Sequence, residues 1–315
     1  VVDTLNTQTL QQANIYDRNL LYRAQAAQVF YQAGQKKNIR KNDGQTIRWR
    51  RFNALSVNTT ALTEGVTPSA TALSMTEVTA TVAQYGGYGE VSDMLDLTGI
   101  DPVILEATDV FGQQAGESVE TLTVNVMKAG TSVLYATGSS RGSQAASNII
   151  TVALIRKAVR NLDRNNTLRF NGQEQNKKVG QGNYIIFLHP SATYDLKNDS
   201  EWKTMQQNIR PEMLFDGSIG MIEGCQVIQS TLCPVFTGEG SGGADVYGTM
   251  VVGQHAFGVV DVAGTGKFKT YVKPLGSGGT ADPLDQRATI GWKSVFQAKI
   301  LNDNFMTRIE HGVTA

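Results

Sequence analysis

Ile47-Arg48-Trp49-Arg50-Arg51-Phe52 (IRWRRF) interleaves three guanidiniums with two aromatic rings, at the head of an alternating run from Thr46 to Val57. Two readings compete. Arginine stacks on bases and pairs with phosphates, and Trp and Phe offer stacking planes, as on a single-strand nucleic-acid surface. On a long strand the same arginines can instead pair with carboxylates of a neighbouring chain. In that reading Ile47, Trp49, Leu55 and Val57 share one face, and the run spans about 40 Å.

Working outward, a Thr/Ser/Pro-containing stretch, TTALTEGVTPSATAL (59–73), leads into a second alternating run, MTEVTATVAQYGGYGEV (75–91). Together they predict a long protruding hairpin with a flexible tip, and nothing nearby in the sequence looks able to cover it. An isolated hairpin is marginal in water, so something outside the chain is expected to hold it. Upstream, Tyr16, Leu20, Arg23, Ala27 and Phe30 recur at helical spacing between Thr9 and Gly34, on a thin apolar stripe. From Lys36 to Arg51 seven basic residues face one acidic residue, Asp43. Balancing carboxylates lie elsewhere, including Glu64, Glu77, Glu90 and Asp93.

Downstream, Asp101 as N-cap and Pro102 as first helical residue open a helix to about Met127, a rod of about 39 Å. Its stripe reads Val103, Ala107, Val110, Gln114, then Ala115, Val119, Leu122, Val126. A further helix is predicted over 148–162. The remainder reads as α+β: a buried strand in YIIFLHP, a helix over 191–209, and strands in GCQVIQST, VYGTMVVG and FKTYVK. A long final strand, ATIGWKSVFQAKIL (288–301), is followed by NFMTRIEHG.

Composition separates the two readings of IRWRRF. Lys plus Arg and Asp plus Glu are 28 each in 315 residues, so the formal net charge is zero, whereas a duplex-coating protein is visibly basic. Near-zero charge leaves little repulsion between copies. Only 18% of residues are charged against about 25% for ordinary soluble chains. Two cysteines and three histidines fit a reducing compartment without a disulfide framework. No apolar run approaches the roughly 20 residues of a membrane helix, and no membrane partner is expected.

Candidate chemistry fails on its context. Gly238-Glu239-Gly240-Ser241-Gly242-Gly243 matches the dinucleotide G-x-G-x-x-G pattern, but a strand rather than a helix follows, so it reads as a loop. Gly264-Thr265-Gly266-Lys267 resembles the end of a phosphate loop, yet Asp261 stands where glycine is required and Phe268 follows the lysine. Cys225 and Cys233, eight apart, form no zinc spacing with His189 or His255. Among the helical carboxylates Glu106, Asp109, Glu117 and Glu120, the last two share a face and read as a charged, interface-facing surface. No catalytic, cofactor-binding or metal-ligating residue is expected. The subunit-interface candidates are Arg48, Trp49, Arg50, Arg51, Phe52, Glu64, Tyr85, Glu117, Glu120 and Trp292.

The order of parts resembles the Johnson fold, which builds the shells of tailed bacteriophages. WRRFNALSVNTTALTEGVTP (49–68), TATVAQYGGYGEVSDMLDLTGIDPV (79–103) and DPLDQRATIGWKSVFQAKILN (282–302) look like the major capsid family of coliphage N-four and its relatives. The resemblance implies an N-terminal arm (1–44) and an extended loop (45–92) reaching over a neighbouring subunit. It also implies a peripheral domain with a spine helix (93–147), an axial domain (148–275), and a return to the peripheral domain (276–315). Implied partners are further copies in pentamers and hexamers, enclosed double-stranded DNA bound without sequence specificity, and scaffolding, portal and decoration proteins. No cofactor is implied, and assembly takes place in the host bacterial cytoplasm. Hinges are expected near Gly86-Gly87 and Gly276–Gly279. Some shells of this fold weld neighbours through a loop lysine; no Lys occurs here between Lys41 and Lys128, so a shell without that bond is expected. The alternatives are an encapsulin-type compartment shell and a soluble enzyme or nucleic-acid-binding domain.

Overall fold

A computed structural model describes residues 29–39, 44–53, 55–98, 103–170, 182–206, 220–262, 269–278 and 282–314. Most of the helix expected over 9–34, the Asp101-Pro102 start and Gly264–Lys267 lie outside them. The last turn of that first helix is present as α1 (Phe30–Ala33).

The long final strand, β13 (Arg287–Ile300), organises one half of the molecule. Its alternating residues Ala288, Ile290, Trp292, Ser294, Phe296 and Ala298 are buried, as period two demands of a strand covered on one face. One edge pairs antiparallel with β4 (Ala83–Ser92) from Arg287↔Ser92 to Phe296↔Ala83. The other edge pairs with β12 (Lys269–Lys273) and then β11 (Phe257–Val262). Strand β1 (Gln35–Ile39) adds parallel to β11, completing five strands. Two of these, β1 and β11, were not anticipated from sequence. The glycines that bound β11, Gly253 and Gly264, read as parts of neighbouring segments, and the lysines of β1 read only as charge.

A short helix, α2 (Asp93–Thr98), leads into α3 (Val103–Lys128), which lies across the buried face of this sheet. Its interior residues are Ala115, Val119, Val124 and Met127, joined by Thr108, Glu120 and Thr123. The expected stripe is corrected at Val110, which is exposed. Strand β4 sets the register. A Cβ on Gly89 would lie 2.8 Å from the Phe111 ring, and one on Gly87 3.1 Å from Gln114 Oε1. The helix therefore sits close over the glycines, with half-buried Phe111 and the amide end of exposed Gln114 against them and Val110 turned out. Gly86 and Gly87 are paired residues of this ladder, opposite Lys293 and Trp292.

The second sheet has seven strands: β5 (Val133–Tyr135), β6 (Tyr184–Leu188), β7 (Gly220–Ile222), β8 (Cys225–Gln229), β9 (Val235–Phe236), β10 (Val246–Val252) and β14 (Met306–His311). Its main order is β5-β14-β10-β6-β8-β7. Helix α4 (Val152–Arg164) covers one face through Ile155, Ala158 and Leu162, which pack with Ile186, Val227 and Ile309. The helix expected over 191–209 breaks at Asp199 into α5 (Pro190–Asn198) and α6 (Ser200–Gln206). The Asp199 carboxylate caps two helices there, accepting from Glu201 N at 2.9 Å and Val152 N at 3.1 Å. The opposite face of the sheet joins the core beneath α3 through Phe187, Met250 and Val252.

An ionic knot fastens the two halves. Arg308 Nη1 donates to the carbonyls of Lys128 and Gly130 at the α3 C-terminus, where a cation is favoured. Arg308 Nε and Arg141 share the buried Glu310 carboxylate at 2.8–2.9 Å. Although burial opposes its charge, the two guanidiniums hold the Glu310 carboxyl below its usual range.

His311 beside it is fully buried, bonded to Thr249 Oγ1 and the Gly312 carbonyl, with Asp195, His189 and Tyr247 nearby. Burial pushes its imidazole down to about 4. Below about pH 6.5 the unfolded chain gains a proton that the folded chain refuses, so stability falls as pH drops towards 4, by about 3 kcal/mol at full depth. Calorimetry at pH 6.5 and 5 should show this loss in the wild type and a smaller one in His311→Gln.

Candidate subunit-interface surface

IRWRRF forms β2 (Thr46–Phe52), paired antiparallel with β3 (Met75–Thr81) in the register Thr46↔Thr81 to Phe52↔Met75. The expected arms are shortened. The first ends at Phe52, and the second breaks at Val82, where the chain leaves the hairpin for β13. Leu55 and Val57 are correspondingly exposed rather than sharing a buried face.

The hairpin base is covered by its own chain, against the sequence expectation. Ile47, Trp49 and Ala80 pack with Val260, Val82 and Leu301 on the face of the five-stranded sheet opposite α3. Trp49 is 7% exposed, and its ring lies so close to the β11 backbone that a Cβ on Gly258 would stand 2.9 Å from it. The glycine is what admits the ring.

The ten candidates divide accordingly. Trp49, Glu120 and Trp292 are interior groups of the single chain, which corrects the reading of Glu120 as part of an interface-facing surface. Glu120 is 0% exposed and accepts from the backbone N–H groups of Phe30 at 2.9 Å and Tyr31 at 3.0 Å, tying α1 to α3. Trp292 Nε1 donates to Gln114 Oε1 at 3.0 Å. Tyr85 is half-buried against the α3 core. Glu117 stays exposed and accepts from Gln113 Nε2, so it does not share a face with Glu120. Arg48 and Arg50 both reach Glu77 of the facing strand at 3.3 Å. Exposed pairs of this kind contribute about 0–1 kcal/mol. Arg51, Phe52 and Glu64 are exposed, and neither Arg51 nor Glu64 has an ionic partner among the described residues.

From Leu55 to Met75 the chain is exposed, with Val57 at 87%, Leu62 at 73% and Leu73 at 70%. A second apolar group, Met94, Leu97, Val110 and Leu284, is exposed near α2 and the start of α3. Sequence reasoning missed this second group, because Val110 was placed in the core. Exposed apolar area of this extent on a folded chain marks an association surface.

The chemical candidates have structural roles. Gly238–Gly243 is a loop with left-handed backbone at Gly238, Gly242 and Gly243, ahead of β10. Both cysteines are buried free thiols, pushed up to about 12 by burial and hence poor nucleophiles. His189 caps α5, accepting from Ser191 N. Among the described residues no three His, Cys, Asp or Glu side chains cluster as metal ligands.

Against known proteins, the family described as phage capsid protein matches residues 76–309, more than half of the chain. The chain belongs to that family. It is a structural capsid protein of a bacteriophage, builds a multi-subunit icosahedral shell, and is not an enzyme. Solved capsids share the α+β fold at low identity. The capsid of Ralstonia phage GP4 is 12% identical at TM-score 0.73, covering 90% of this chain and 88% of that one. The capsid of Helicobacter pylori bacteriophage KHP30 is 16% identical at 0.67, covering 89% and 87%. The cyanophage Pam1 capsid is 16% identical at 0.66, covering 87% of each. No curated protein matches. The encapsulin-type alternative is not favoured.

Because the Trp49 ring in the capsid protein's hairpin anchor rests on the bare backbone of Gly258, Gly258→Val should loosen the hairpin. Overpacking costs about 1–3 kcal/mol, more than the roughly 1 kcal/mol that β propensity spans. The variant should show a lower unfolding midpoint and faster proteolysis between residues 46 and 81.

Proposed function

We propose that this capsid protein forms the pentamers and hexamers of a tailed-phage head that encloses double-stranded DNA, on the N-four-like branch of the family. Scaffolding and portal proteins, and in some heads a decoration protein, are its partners, and assembly proceeds in the host bacterial cytoplasm. Within residues 45–92 the hairpin as far as Val82 acts as the extended loop, with α3 as the spine helix and the seven-stranded half as the axial domain.

The observation that carries this reading is the hairpin, whose base is buried on its own sheet while Leu55, Val57, Leu62, Val66 and Leu73 stay exposed, uncovered by the described residues. A neighbouring copy removes that surface from water at about 25 cal/mol per Å². Repeated at every subunit, modest burial holds a shell.

Replacing residues 55–72 by a short Gly-containing turn tests the reading. The variant should keep the wild-type circular dichroism spectrum yet sediment as small species, while the wild type forms closed particles by electron microscopy. Closed particles of normal yield from the shortened chain would remove the hairpin from the assembly mechanism.

The loop carries no lysine, so the shell is held by packing, strand pairing and ion pairs. Purified particles boiled in denaturant should run as a single monomer band. Bands at multiples of the monomer would reveal a covalent weld.

A further inference from the structure

Between the hairpin base and the end of β13 lies a cleft of about 300 Å³. Arg50, Arg51, His255 and Gln35 supply polar groups on its walls, and Leu301 and Phe305 are among its apolar lining. The cleft is positive. Arg50 shares the single Glu77 carboxylate with Arg48, and Arg51 has no carboxylate among the described residues. Trp49 also lines the cleft, is 7% exposed, and its buried indole N–H has no acceptor among the described residues. Buried donors are almost always paired. An unpaired cation and an orphan donor on one cleft call for an acceptor brought from outside.

The matching group stands at the other end of the same hairpin. From residue 53 to residue 74 the only charged side chain is Glu64. It sits midway between the arms, at the corner of the turn closed by Val66 N donating to Thr63 O at 3.2 Å. Gly65 takes the left-handed backbone that this turn requires, with φ of 76°. Glu64 is thereby held at the apex, exposed and without an ionic partner among the described residues, flanked by exposed Leu62 and Val66. Apolar, anionic, apolar at the tip meets apolar walls and guanidiniums in the cleft.

We propose that Glu64 of one copy enters the cleft of a second copy and pairs with Arg51, with Leu62 and Val66 packing towards Leu301 and Phe305. The twelve residues from Phe52 to Glu64 reach at most about 40 Å. A chain of this length has a radius of gyration of about 20 Å, so the apex spans to an adjacent copy. The contact is head-to-tail, tip on base, and such a contact repeats around a ring instead of ending at a pair. Nucleic-acid phosphate is the less suited occupant, because the cleft holds one side chain and the chain as a whole is neutral.

The inference rests on the shell reading, and a charge exchange separates the two. Glu64→Arg and Arg51→Glu each lie at exposed positions, and each should lower particle yield about tenfold or more by sedimentation. The double exchange should restore it. Single variants that assemble like the wild type, or a double no better than its parents, overturn the pairing while leaving the shell reading intact. Normal yield of Arg51→Glu particles with reduced nucleic-acid content overturns it in favour of phosphate. A wild type that never forms particles fails the shell reading itself.

Glu64→Cys with Arg51→Cys gives an independent measurement, since both native thiols are buried. Oxidised particles of this pair should show a ladder of covalent multimers on non-reducing gels, absent from either single variant. Assembled particles without a ladder overturn the pairing.

Discussion

The indole of Trp49 lying on the bare backbone of Gly258 fixes where the hairpin leaves the subunit, and much of the association surface follows from it. A two-stranded hairpin does not hold its own direction in water. Seated through Ile47, Trp49 and Ala80 on Val260, it inherits the rigidity of a five-stranded sheet that α3 braces from behind. The tip is then a directed probe. A directed apolar tip loses less conformational freedom on docking than a tethered but unanchored one, so more of its burial appears as binding free energy.

The same sheet reaches the second half of the molecule through α3. Glu120, buried in that helix, holds the backbone of Phe30 and Tyr31, and the Phe30 ring meets Phe187 of the other sheet at 4.1 Å. Arg308 closes the far end of α3 onto β14. Buried ionic groups are weak sources of stability, because desolvation offsets much of their attraction. Their value here is geometric. They set the position of the helix against both sheets, and with it the angle between the hairpin and the seven-stranded half.

Much of this architecture was legible in residue patterns. The alternation of β13 and the 26-residue periodicity of α3 announced themselves because each element is buried on one face only. IRWRRF and MTEVTAT read correctly as pairing strands for the same reason. The failures share a cause. Strand length, the Val82 break, the outward turn of Val110 and the interior place of Glu120 depend on tertiary partners remote in sequence. Glu120 looked like a surface carboxylate because its partners are backbone N–H groups, which carry no sequence signature. That Trp49 packs beneath the loop was legible, but not what admits it, because Gly258 lies more than two hundred positions away.

Assembly requires a surface that is sticky in one geometry and inert in others. The hairpin exposes its hydrophobes at the tip, whereas its paired arms are rich in Thr and Arg, with Glu77 between two of the arginines. Charged and polar arms discourage indiscriminate edge-to-edge pairing of strands, the usual route to aggregation. A zero net charge sharpens the need for this division, because no general repulsion keeps misaligned copies apart. Segregated charge supplies the missing discrimination. A basic hairpin base placed against another basic base is repelled, and the apolar tip finds relief only where the local field has the opposite sign. Neutrality lets copies approach, and the uneven distribution of that neutral charge decides how they meet.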